Sequence, residues 1–217
     1  MLETLGVACS RGDRTLFSQL DLFLGGGRLL RVMGANGSGK TSLLRILCGL
    51  RSPHAGEVRW RGASIASSEA REEFHRELVY IGHLNGLKDE FSAMENLAAS
   101  AVLAGMASDP VPLRRALERM DLAHIAGLPA RHLSQGQRRR VALARLLLAA
   151  DRPLWILDEP FNALDAKAIT LVEQVLAGHA AAGGAVVFTT HFEPAIAAER
   201  IDRLDLDHLD AGSGQPC

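Results

Sequence analysis

The 217 residues carry 24 basic and 25 acidic side chains, a formal net charge of −1, with 47% apolar and 5% aromatic residues. This balance allows a core of aliphatic side chains and lacks the basic surplus of a general nucleic-acid binder, so any basic strip is local. Cys9, Cys48 and Cys217 are scattered without a CxxC pair, which argues against a disulfide frame or zinc site. No run of about 18 apolar residues marks a membrane span, and MLETLGVACSRGDR lacks the layout of a signal peptide, so a cytoplasmic setting is expected.

In chain order, the N-terminal stretch up to Leu24 reads as strand interrupted by the turn RGDR. LLRVMG (29–34) is a short apolar run, followed by a Gly-rich turn and then SLLRILCGL with helical spacing. GEVRWRG (56–62) alternates as an antiparallel strand would, and ELVYIGH (77–83) reads as a buried strand. Between 91 and 132 Ala, Leu and charged residues dominate, and Leu113, Ala116, Leu117 and Met120 share one helical face, which predicts a helical insert. An arginine-rich helix follows, then the strand PLWILD (153–158), a helix through about His179, the strand GAVVFTTH (184–191) and a short acidic end. The tail AGSGQPC (211–217) is expected to be disordered on composition. Strands alternating with helices predict a mainly parallel, helix-covered sheet.

GANGSGKT (34–41) has the pattern G-x-x-x-x-G-K-[ST] between a strand and a helix. Its glycines let backbone N–H groups turn toward phosphates, and the following helix points its positive end at them. Gly34, Ala35, Asn36, Gly37, Ser38, Gly39 and Ser42 are therefore candidate nucleotide contacts. Lys40 supplies a charge for the β- and γ-phosphates, and the Thr41 hydroxyl is a candidate Mg²⁺ ligand. LWILDEP ends a buried strand in two carboxylates. Asp158 is placed to hold Mg²⁺ through water, and Glu159 to polarise an attacking water. ATP and Mg²⁺ are the expected cofactors, and hydrolysis the expected reaction.

LSQGQ (133–137) resembles the signature LSGGQ of ATP-binding-cassette (ABC) ATPases, with Gln135 in place of the first glycine. The order GANGSGKTS, LSQGQRRRVALAR, LWILDEPFNALD, TTH is also similar to that family across nearly the whole chain. The resemblance implies an α/β P-loop NTPase (RecA-like) core with an antiparallel β subdomain (about 1–90 and 146–217) and an inserted α-helical signature subdomain (about 91–145). It also implies a homodimer across two ATP molecules. Ser134, Gly136 and Gln137 would then face the nucleotide of the other protomer. Asp165 would cross the interface, and His191 would touch the γ-phosphate. In the strip that follows, Arg140 and Arg145 are expected to make internal contacts, and Arg138 and Arg139 to be solvated, so the strip is no nucleic-acid patch.

Two further positions depart from the family. The adenine-stacking aromatic is matched by Arg11, whose guanidinium could stack instead, with Phe17 packing nearby. The Q-loop glutamine falls at Leu84, which can neither ligate Mg²⁺ nor accept a hydrogen bond; His83, Asn85 or water could stand in. RTLF, IGHLNGLK, AMENL and LWILDEPFNALD further resemble the ATP-binding subunits of bacterial haem exporters of cytochrome c maturation. That implies integral membrane partner subunits and a peripheral place on the cytoplasmic face of the inner membrane. Direct haem binding is not expected, since the histidines are scattered and there is no CxxCH. Another small bacterial exporter ATPase is the alternative. A DNA-acting ABC ATPase is disfavoured by the short interval before the signature, which lacks sustained heptads and cysteine clusters.

Overall fold

The computed structural model describes residues 1–196 and 201–208; the tail at 211–217 lies outside them. The described residues form two sheets. β1 (Leu2–Arg11), β2 (Arg14–Leu24), β4 (Ala55–Trp60) and β5 (Ala63–Ser64) make an antiparallel sheet in the order β2-β1-β4-β5. β3 (Leu29–Met33), β6 (Leu78–Ile81), β7 (Leu154–Leu157), β8 (Ala185–Thr189) and β9 (Ile201–Asp205) make a parallel one in the order β6-β7-β8-β3-β9. The helices are α1 (Lys40–Leu47), α2 (Ser68–Arg76), α3 (Ala93–Leu103), α4 (Pro110–Arg119), α5 (Gln135–Leu148) and α6 (Ala166–Ala181).

The parallel sheet is covered on both faces, which is why its strands β6, β7 and β8 read as apolar runs. Strand period 2 divides their side chains. Trp155, Leu157, Val186 and Phe188 enter one core with α3 to α6. Leu154, Ile156, Ala185 and Val187 enter the other, with α1 and the antiparallel sheet. Leu113, Ala116, Leu117 and Met120 are buried in the first core, against α3 and α5. α3 starts on a capping box in which Ser92 accepts from the Glu95 N–H and the Glu95 carboxylate accepts from the Ser92 N–H.

Besides the two-residue β5, α2 and β9 go beyond what the sequence pattern predicts. α2 buries only Phe74, so it carries no apolar stripe to announce it; Ser67 caps it by accepting from the Ala70 N–H. The acidic end contains β9, whose polar residues suit an edge strand. Its strand form comes from pairing with β3 and from the ion pair of Asp202 with Arg28, neither of which a local pattern displays. No helix among the described residues is long and apolar enough to cross a membrane.

Candidate functional site

Four neighbouring parallel strands end on the same edge of the sheet, where ligands of open α/β sheets bind. After β3 the chain forms the loop 34–39 and enters α1. β6 leads into Gly82 and His83, β7 into Asp158 and Glu159, and β8 into Thr190 and His191. Together with Arg11, Leu16 and Asn162, these segments enclose a cleft of about 470 Å³. Asn36, Gly37, Gly39, Lys40, Thr41, Ser42, Asp158, Glu159 and His191 line it.

Gly39 is the N-cap of α1 in the left-handed region, φ 109°, a conformation that suits glycine alone at low cost. Lys40, Thr41 and Ser42 of the first turn of α1 line the cleft, and a helix N-terminus suits an anion. The Lys40 ammonium donates to the carbonyls of Gly34 (2.6 Å) and Ala35 (3.0 Å), and the Ala35 N–H donates to Asp207 (2.6 Å). The Ser38 hydroxyl is buried inside the loop and has no hydrogen-bond partner among the described residues. The donor set therefore suits a nucleoside triphosphate.

Asp158 is 2% exposed and is held from both sides. Thr41 Oγ1 donates to its Oδ2 at 2.8 Å and Thr189 Oγ1 to its Oδ1 at 2.9 Å. The Thr189 hydroxyl in turn accepts from the Glu159 N–H at 2.8 Å. Among the described residues no three His, Cys, Asp or Glu side chains gather into a complete metal cage. Thr41 with Asp158 is a partial set of hard oxygens, the kind that takes Mg²⁺ together with phosphates. Burial pushes the nearby Cys48 thiol well up, with the Asp158 charge adding to the effect, so it is no thiolate.

Glu159 has φ 51°, a left-handed conformation costing of order 1–3 kcal/mol for a residue with a side chain. Its Oε1 lies 3.2 Å from His191 Nε2 at the cleft mouth. A carboxylate and an imidazole are thus paired in the lining of the cleft.

The signature residues stand elsewhere. Ser134 caps α5, accepting from the Gln137 N–H at 3.2 Å, while Gln137 Oε1 accepts from the Ser134 N–H at 2.8 Å. A Cβ on Gly136 would lie 2.5 Å from the Ala163 carbonyl, so the close approach of α5 to the turn before α6 requires glycine. Asp165 caps α6 by accepting from the Ala168 N–H. None of these residues lines the cleft.

The expectation that Arg138 and Arg139 are solvated is corrected. Arg139 is 3% exposed and donates into the cleft wall. Arg138 donates to the Ala130 carbonyl and pairs with Asp89. A charge run on one side of a helix reads as solvent-facing unless tertiary partners are known. Arg140 donates to the Met120 carbonyl, and burial lowers the Arg145 pKa from its usual value, Arg152 adding to the shift. Phe17 is buried against Gly39 rather than in the cleft; Leu16, unread in the sequence, lines it beside Arg11. Leu84 is 84% exposed and outside the cleft, which His83 lines instead.

The model of the ABC transporter family matches residues 17–162. The chain is 53% identical over 191 residues to the cytochrome c biogenesis ATP-binding export protein CcmA of Aromatoleum aromaticum, covering 88% of each. It is 49% identical over 205 residues to that of Nitrosospira multiformis, covering 94% of this chain and 98% of that one. Among solved structures, a dimeric post-hydrolysis ATP-binding cassette bound to ADP and Pi matches with TM-score 0.80 and 24% identity over 95% of both chains. A dimeric bacterial ABC transporter cassette matches with TM-score 0.78 and 26% identity, again over 95% of both.

Proposed function

This chain belongs to the ABC transporter family as an ATP-binding, ATP-hydrolysing subunit, and from that premise we propose the roles of its residues and the cargo it serves. The α- and β-phosphates rest on the backbone of the loop 34–39, and Lys40 neutralises the β- and γ-phosphates. Thr41 and Asp158 would hold Mg²⁺, which when bound offsets charge on the phosphate oxygens. Glu159 accepts a proton from the attacking water, and His191 orients the water and the γ-phosphate. Arg11 and Leu16 form the side of the cleft against which the base packs. The observation that carries this reading is the Glu159–His191 pair, 3.2 Å apart at the mouth of a cleft floored by Lys40, Thr41 and Asp158.

Two copies sandwich two ATP molecules, with Ser134, Gly136 and Gln137 of each facing the nucleotide of the other and Asp165 crossing between them. The helical segment (about 91–145) and the loop 82–90 dock on integral membrane subunits at the cytoplasmic face of the inner membrane. Closure and hydrolysis drive those subunits through a conformational cycle. Export of haem, or release of a haem-loaded chaperone, for cytochrome c maturation is the proposed work, supported by the names of the relatives above.

The test uses Glu159→Gln in the full chain. Hydrolysis should fall roughly 100-fold or more while ATP binding persists, since only the proton acceptor is lost. An ATP-dependent dimer should accumulate and copurify with membrane subunits, not DNA. Wild-type turnover by the variant would remove Glu159 from its role.

A further inference from the structure

Arg139 uses every donor it has. Its Nε donates to the Pro160 carbonyl (3.4 Å), its Nη2 to the carbonyls of Asp158 (2.6 Å) and Glu159 (3.0 Å), and its Nη1 to the Gly82 carbonyl (2.9 Å) and Asn85 Oδ1 (3.1 Å). A guanidinium has five N–H groups in a rigid fork, and each has one partner here. No ion pair to Arg139 occurs among the described residues, so the group is held by carbonyl and amide oxygens alone. It is 3% exposed, which makes this a built position and not a surface accident.

The partners belong to two separate segments. Three are the consecutive carbonyls of the turn that carries Glu159 in its left-handed conformation, φ 51°. Such a conformation persists only where the surroundings over-determine it, and Arg139 grips the peptide groups on both sides of that residue. The other two lie in the loop that leaves β6. In that loop Leu84 points to solvent at 84% exposure, whereas Asn85 reaches the guanidinium with its side chain.

We infer that Arg139 is the positioning residue for Glu159 and that Asn85 is the handle by which the 82–86 loop sets it. A shift of the loop moves the Asn85 acceptor, the guanidinium follows, and the Glu159 peptide rotates with it. The polar link from loop to hydrolytic carboxylate thus runs through the protein, behind the cleft, with Leu84 taking no part. This rests on the reading of Glu159 as the group that polarises water.

The experiment measures hydrolysis and ATP binding by the full chain carrying Asn85→Ala, Asn85→Asp, Arg139→Lys, the Asn85→Ala/Arg139→Lys pair, and Glu159→Gln. Asn85→Ala should lower kcat about tenfold, the order expected on losing one hydrogen bond to a charged group, with the ATP Kd within about twofold of the unsubstituted chain. Asn85→Asp keeps an acceptor and should return kcat to within about threefold. Lysine is a point charge that cannot reproduce the fork, so Arg139→Lys should lower kcat further. Adding Asn85→Ala to it should then do little, because residues in one hydrogen-bond network are non-additive. Should Arg139→Lys fail to fold, the two Asn85 variants decide alone. An unchanged kcat in Asn85→Ala, a loss of ATP affinity equal to the loss of kcat, or independent effects in the pair would overturn the inference. Wild-type hydrolysis by Glu159→Gln would instead overturn the reading of Glu159 itself.

Discussion

α1 begins on Gly39, which has no side chain to cap it, whereas α5 begins on Ser134 in a closed capping box with Gln137. Both helix starts point a positive dipole end outward. At α1 the first-turn N–H groups have no side-chain claimant and sit in a cleft with Lys40 and Thr41; they suit a phosphate chain held tightly by one protein. At α5 the Ser134 hydroxyl already satisfies the Gln137 N–H, and Ser134 is exposed. That start suits a lighter contact, made when a partner arrives and lost when it leaves. On the function proposed here, one helix end binds and the other senses.

The two ends are separable by mutation, and the largest effects should come from disabling each. Lys40→Ala removes the charge held over the loop, so ATP binding and hydrolysis should both fail. Ser134→Arg leaves the cleft alone and blocks the far side of the sandwich, so each protomer should still bind ATP but not close. Both should lose roughly 100-fold or more in hydrolysis, as when a donor to developing charge is removed. Mixed together, they leave at most one intact composite site in a heterodimer, and activity should partly return. A chain that stays monomeric at saturating ATP, with no recovery on mixing, would break the division of labour between α1 and α5.

Much of the cleft was readable because its contributors are contiguous. GANGSGKT carries its chemistry in the loop after β3 and the first turn of α1, and LWILDEP in β7 and the turn after it, where local spacing and strand position agree. What could not be read joins the site from far away. Leu16 comes from β2, and the Thr189 hydroxyl fixes Asp158 and the Glu159 N–H from β8. Arg139 looked solvated in an arginine run because nothing in its neighbours on the chain reveals that the 158–160 carbonyls lie against it. For the fold, the buried strands β3, β7 and β8 announced themselves by apolar runs. The edge strand β9, with Asp202, Arg203 and Asp205, owes its form to β3.

A loss at either helix end must be told apart from simple unfolding, and pH is the variable most apt to confuse them. His179 is 7% exposed and stacks on Trp155 with ring centroids 3.6 Å apart. Burial lowers its pKa from 6.5 to about 4, a hydrogen bond to Pro153 offsetting this in part. The folded value lies below the unfolded one, so the stability is fully present above about pH 6.5 and is lost as pH falls toward 4. By pH 5 the loss should be about 2 kcal/mol. His179→Phe keeps an aromatic face on Trp155 and has no proton to gain. Its urea midpoint should change less between pH 7 and pH 5 than that of the unsubstituted chain. Equal slopes would mean that His179 is not the group responsible.

The smallest effect is expected at Leu84, where the resemblance implies a glutamine in the family pattern. A glutamine there would join the loop to the nucleotide, but Leu84 is 84% exposed and His83 is the loop residue that lines the cleft. Leu84→Ala should therefore leave Mg-ATP affinity within about threefold, under about 1 kcal/mol. An apolar side chain so exposed is suited to pack on a partner, so coupling should suffer more than binding. The paired measurement is nucleotide binding by the purified variant and cytochrome c maturation in cells that carry it. If Leu84→Ala lost Mg-ATP affinity while maturation continued unharmed, the loop would belong with α1 and the cleft, and the assignment of Leu84 to the docking side would be wrong.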